Sequence, residues 1–179
     1  MENNGIQNGE ILCTSTPVNK GYFCSNALYW NTTSAFAADL TLNGVFTLSF
    51  PKVYVKVSRI KILSGSGLRY LSSSIIDSSL DGVNYKNIMN TDIPFCSQKS
   101  TVNCNCGIET IREYTFPEER VLKYLRISGS GKDSCGTTEL SFFGIELFGH
   151  FTSFCFSVNY LINYSFPFYI LTHFFIIFE

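Results

Sequence analysis

Two histidines, His150 and His173, supply all the imidazole in the 179 residues. The first 149 positions therefore cannot build a Ser-His-Asp or Cys-His nucleophile, or a His-ligated zinc site. Cys104 and Cys106 are separated by one residue, in STVNCNCGIET. That gap suits neither a zinc knuckle nor a thioredoxin-type pair, and it reads as free or packed thiols. Asp77 and Asp81 stand four apart, too few oxygens for calcium, whereas Asp81 before Gly82 suits a tight turn. Two SGSG segments begin at Ser64 and Ser128, and Lys132 follows Gly131. No glycine stands five residues before Gly131, and no helix follows to face a phosphate, so a nucleotide loop is not expected. Without a paired-carboxylate motif or a general base at a usable spacing, the chain reads as a non-enzyme with no cofactor and no metal site.

The elements that would position any binding residues are strands. From Val45 to Phe148, short β-rich runs are separated by Gly, Ser, Asn and Asp, and no window carries an apolar stripe at helical spacing. The runs are VFTLSF, VYVKVSRIKIL, a short one through Ile75-Ile76, REYTFP, VLKYLRI and ELSFFGIELFG. Their spacing fits an all-β sandwich. In VYVKVSRIKIL, Val53, Val55 and Val57 share one face while Ile60 and Ile62 fall on the other. The slip predicts a bulge near Ser58-Arg59. Asp81-Gly82 predicts a tight hairpin leading to Tyr85.

Thirteen Lys and Arg against fourteen Asp and Glu give a net charge of -1, with the cations scattered. Nucleic acid is not expected as a partner, because phosphate binding needs a basic face. The opening MENNGIQNGEIL shows no signal peptide. A cytoplasmic setting is therefore favoured for the domain, with the six body cysteines (Cys13, Cys24, Cys96, Cys104, Cys106, Cys135) mostly reduced. The sequon at Asn31 matters only in a secretory lumen.

Three segments then combine: IIDSSLDGVNYKNI (Ile75 to Ile88), KYLRI (Lys123 to Ile127) and LSFFGIELFG (Leu140 to Gly149). In order and spacing they resemble the coagulation factor 5/8 type C domain, or discoidin domain, over about Gly21 to Gly149. FTLSFPK and SRIKI look like earlier strands of the same family. Tyr85 stands where Trp is usual, and the family's terminal Cys pair is not reproduced, so no disulfide is carried over. The resemblance implies a galactose-binding-like jelly-roll β-sandwich whose loops at one end hold ligands. On this chain those loops would be Tyr22 to Phe36 and Ser64 to Ser73. Within them Trp30, Asn31, Arg69 and Tyr70 combine an aromatic face with polar donors, as a sugar site requires. The other reading of Trp30 is a plug at the sandwich base. Arg126, inside KYLRI, is expected to form a structural ion pair with a carboxylate such as Glu146.

The resemblance implies a non-catalytic module that binds a carbohydrate or another extended polar ligand. The alternative is an intracellular domain recognising a protein partner, similar to those that accompany BTB modules. The expected organisation is a polar segment over 1–20, the sandwich over 21–149 and an apolar tail over 150–179. Phe151 to Phe178 is 28 residues without a charge and holds 8 of the 17 Phe. As a helix it would span a bilayer, so a membrane anchor is one reading. Asn159, Asn163, Pro167 and the lack of flanking cations weaken that reading. A read-through or mis-annotated end rich in AT-codon residues is another, and a packed or disordered extension a third.

Overall fold

A computed structural model describes residues 11–16, 22–28, 35–39, 44–63, 73–92, 111–129, 139–153 and 164–170. Over these residues the strands are β1 (Leu12–Thr16), β2 (Phe36–Asp39), β3 (Val45–Ser49), β4 (Tyr54–Leu63), β5 (Ser73–Ser79), β6 (Lys86–Asp92), β7 (Ile111–Leu122), β8 (Tyr124–Gly129), β9 (Glu139–Phe142), β10 (Gly144–Ser153) and β11 (Tyr164–Ile170). A 3-10 helix, Cys24–Leu28, stands between β1 and β2. All pairings are antiparallel. A five-stranded sheet runs β1-β3-β8-β5-β6, a four-stranded one β11-β10-β4-β7, and β2 pairs with β9.

The core is the set of apolar alternates from the facing sheets. Phe46, Leu48, Ile76, Leu125 and Ile127 come from the five-stranded sheet, and Val55, Val57, Ile60, Leu122, Ile145 and Leu147 from the four-stranded one. Phe36 of β2, Phe46 of β3 and Phe142 of β9 meet with ring centroids 5.0–5.1 Å apart, which seats the small sheet against the large one. The result is the expected jelly-roll sandwich.

The bulge stands where the alternation slips. On β4 the register jumps from Val57 to Arg59, so Ser58 has no cross-strand partner and its hydroxyl donates to the Phe148 carbonyl at 3.2 Å. Opposite, a Cβ on Gly149 would run into the Lys56 carbonyl, so this close approach requires glycine. On the other side of β4, Val57 pairs with Arg120 but Arg59 with Thr115, so Phe116 to Glu119 swing out of register.

Two runs that read as single strands are corners. VLKYLRI is cut at Lys123, whose N–H donates to the Ser79 carbonyl while its own carbonyl accepts from Phe50 N–H, both at 2.9 Å. Val121 and Leu122 thus end β7 in one sheet and Tyr124 opens β8 in the other. ELSFFGIELFG is cut at Phe143, which donates to the Leu63 carbonyl at 2.8 Å.

The described strands pass both limits of the 21–149 body: β1 precedes it, and β10 continues to Ser153. The tail, for which a helix was one option, contributes β11 instead, pairing Tyr164–Ile170 with β10. As an edge strand it tolerates Pro167, which has no N–H to give a ladder. No helix of the described residues is long and apolar enough to cross a membrane.

Candidate functional site

Strand register decides which ends of the sandwich carry loops. The short connections Phe50–Val53 and Lys123 join the two sheets at one end, beside the paired residues Ser49, Tyr124 and Ser79. At the far end Leu63 lies opposite Gly144 and Ile111, Ser73 opposite Asp92, and Gly129 opposite Ser74. Leu63 and Ser73, which bound residues 64–72, and Asp92 and Ile111, which bound residues 93–110, therefore all lie at that far end, as do Gly129 and Val45. Phe36, at the close of the Tyr22 to Phe36 segment, packs on Phe46, one residue in from the same end.

The start of that segment is built firmly. Cys24 is disulfide-bonded to Cys13 of β1, with 5.9 Å between their Cα atoms. Two of the six body cysteines, expected to be mostly reduced, are thus paired, and the other four lie outside the described residues. The edge strand β1 runs alongside the 3-10 helix, which brings two cysteines eleven residues apart within bonding reach. Asn26 Nδ2 donates to the Ala35 carbonyl at 2.8 Å, and Ala37 N–H to the Tyr22 carbonyl at 3.3 Å, closing the base of the loop. Ala27 and Leu28 are buried.

Trp30, Asn31, Arg69 and Tyr70 lie outside the described residues, as do Cys104, Cys106 and Lys132. Among the described residues no three His, Cys, Asp or Glu side chains gather as a metal would require. Asp81 has a turn role: its carboxylate accepts from the N–H groups of Val83 and Asn84, from Asn84 Nδ2 and from the Ser79 hydroxyl, at 2.7–2.8 Å. The Asn84 N–H leads these bonds in holding the carboxyl far below the usual carboxylate range. Gly82 takes φ +77° and lies on the Tyr124 ring, where a Cβ would come within 3.0 Å.

Arg126 is structural, but its partner is Asp77 and not Glu146. β8 and β5 are neighbours, and Arg126 stands directly opposite Asp77, whose Oδ2 accepts from Nε at 3.2 Å and from a terminal nitrogen at 2.8 Å. Glu146 belongs to the other sheet, opposite Lys61. The guanidinium lies 3.9 Å over the Tyr85 ring, so Tyr85 folds back from the hairpin onto the outer face. Burial there raises the Tyr85 hydroxyl above its ordinary pKa.

The base of the sandwich also carries a groove of about 470 Å³, lined by Leu80, Asp81, Lys86, Glu119, Arg120 and Val121 among others. Sequence reasoning did not find it, because Glu119 belongs to the out-of-register stretch of β7. On the outer face of the four-stranded sheet, Glu113 binds Arg59 and Lys61, and Glu119 binds Lys56 at 2.5 Å. Arg59 and Lys56 respectively pull these carboxyls below their usual values.

No protein-family model and no curated protein sequence matches the chain. Solved structures do. A module of Clostridium perfringens, CpGH89CBM32-5, in complex with GalNAc-β-1,3-galactose, has a TM-score of 0.58 at 13% identity, over 78% of this chain and 95% of that one. CBM32-3 from a family 31 glycoside hydrolase of the same organism has a TM-score of 0.61 at 13% identity, covering 79% and 92%. Chitosan-binding module 1 of a chitosanase/glucanase from Paenibacillus sp. IK-5 has a TM-score of 0.59 at 21% identity, covering 78% and 96%. At these identities the likeness is one of fold, and this chain has the galactose-binding-like jelly roll that such carbohydrate-binding modules share with discoidin domains.

Proposed function

We propose that the chain is a non-catalytic carbohydrate-binding module of discoidin type, recognising its ligand through the loops at the far end of the sandwich. The observation that carries this reading is the register-defined end at which the residues bounding 64–72 and 93–110 all lie, in a fold shared with modules solved with or named for saccharides. Segment 64–72 contains Arg69 and Tyr70, and the Tyr22 to Phe36 loop contains Trp30 and Asn31. A pyranose presents an apolar C–H face to a ring and hydroxyls to an amide or guanidinium, and these four residues supply both kinds of contact. The apolar tail and a protein partner play no part in this reading.

A glycan array on the whole chain, followed by calorimetry with the best glycan, tests it. Binding is expected, with Trp30→Ala and Arg69→Ala each weakening it about tenfold or more. Silence across the array would end the carbohydrate reading. Undiminished binding by both variants would end the assignment of these loops.

A further inference from the structure

We propose that the groove at the base of the sandwich docks an extended segment of a protein partner, seating aliphatic side chains on Leu80 and Val121 and a carboxylate on Lys86. This surface lies at the opposite end from the loops of the proposed function and does not depend on that reading. Seven large hydrophobic residues stand exposed among the described residues, and three of them, Leu80, Val83 and Val121, are gathered at this end. Leu80 and Val121 line the groove itself, and Val83 shares the 80–85 turn with Leu80. Exposed apolar side chains that share one surface mark interaction sites, whereas single scattered ones need no explanation.

The walls of the groove are two sheet edges. Lys86 and Asn87 open β6, the last strand of the five-stranded sheet, and Glu119, Arg120 and Val121 stand near the end of β7, the last strand of the four-stranded one. Among the described residues neither strand has a neighbour on its outer side. An edge offers backbone N–H and C=O groups to a segment in extended conformation, while adjoining pockets select its alternate side chains. The two walls are also tied together, since Lys123 N–H, just after β7, donates to the carbonyl of Ser79 at the end of β5 at 2.9 Å. At about 470 Å³ the groove is near the small end of the usual range for ligand clefts, roughly 300–1,000 Å³, which suits a short segment.

Charge and lining decide the class of partner. Asp81 is satisfied within its own turn, Glu119 is paired with Lys56, and Arg120 with Glu118 at 3.1 Å. Lys86 is exposed and makes no ion pair or hydrogen bond with the described residues. Among the charged side chains that line the groove it is therefore the one left to meet a carboxylate, and complementary charge sets which partner docks. The lining holds no aromatic ring, and the Tyr124 ring at this end lies against Gly82. A pyranose needs a ring to stack on, so Leu80 and Val121 favour aliphatic side chains over a sugar. Asp81, Glu118 and Glu119 stand among the cations, which disfavours an anionic bilayer.

The test is an array of six-residue peptides in which Val or Ile alternates with Glu, Ser or Lys, probed with the whole chain, with fluorescence anisotropy on the tightest of each kind. The Glu peptides are expected to bind at least about fivefold more tightly than the Ser peptides, and the Lys peptides more weakly than either. Lys86→Glu is expected to reverse that order. Leu80→Ser/Val121→Ser is expected to weaken binding about tenfold or more with unchanged Tm, since both side chains are exposed. Absence of binding by every peptide, an order that Lys86→Glu leaves unchanged, or undiminished binding by the double variant would each overturn the proposal. Vesicles of phosphatidylcholine with phosphatidylserine, and the glycan array, are the competing probes. If Leu80 and Val121 are needed for either of these and not for peptides, the protein-segment assignment is overturned. A dimer in analytical ultracentrifugation that the double variant abolishes makes a second copy the occupant and overturns it too. Should the double variant unfold, backbone amide shifts of Leu80, Lys86 and Val121 on titrating the parent with the Glu peptide decide: movement supports the groove, and stillness overturns it.

Discussion

Removing either member of the Asp77–Arg126 pair should destabilise the domain, and removing Arg126 should cost more. The Asp77 side chain is 10% exposed and that of Arg126 33%. Arg126→Met leaves a carboxylate buried in the sheet with only Asn87 Nδ2, at 3.4 Å, for company. That approaches the penalty of a broken buried pair, about 3 kcal/mol. Asp77→Ala leaves a guanidinium that still rests on Tyr85 and reaches water on one side, for about 2 kcal/mol. The combination Asp77→Leu/Arg126→Met leaves neither charge behind and should lose less than Arg126→Met alone, about 2 kcal/mol, a coupling of about 3 kcal/mol. Urea unfolding followed by far-ultraviolet circular dichroism reads all three. In thermal scans Arg126→Met should lower Tm by roughly 6–12 °C. Equal and additive losses, or losses under about 0.5 kcal/mol, would show that the pair is an ordinary surface contact and refute the reasoning.

The remaining predictions concern the bulge, the hairpin and the thiols. Gly149→Ala should cost about 2–3 kcal/mol in urea unfolding, because its Cβ meets the Lys56 backbone. Asp81 has its carboxyl pKa depressed in the fold, so its contribution is present above the ordinary value of 3.8 and lost as pH falls below it. Stability measured from pH 5 downwards should therefore fall less steeply in Asp81→Asn than in the parent. Alkylation of the native protein read by peptide mass should leave Cys13 and Cys24 unmodified until reductant is added. Cys24→Ser should lower stability by roughly 2–4 kcal/mol, the usual worth of a disulfide.

Period-two alternation, a property of neighbouring residues alone, made the all-β sandwich legible in the sequence. The same pattern exposed the bulge, since the slip at Ser58-Arg59 is a local break in parity, and Asp81-Gly82 announced a turn because only a few residue types accept that backbone, although the connection takes the six residues Leu80 to Tyr85 and is not the expected tight hairpin. What required the tertiary structure was every choice of partner. Arg126 meets Asp77, not Glu146, because β8 lies beside β5, and sheet order is set by how all the strands pack together. Cys24 bonds to Cys13 because β1 joins the edge of the large sheet next to the 3-10 helix. The two corners at Lys123 and Phe143 were invisible for a related reason: apolar residues continue through them, and only the crossing from one sheet to the other separates the strands. The groove that Leu80 and Val121 share belongs with these, since which exposed residues line one surface depends on how the two sheets are stacked.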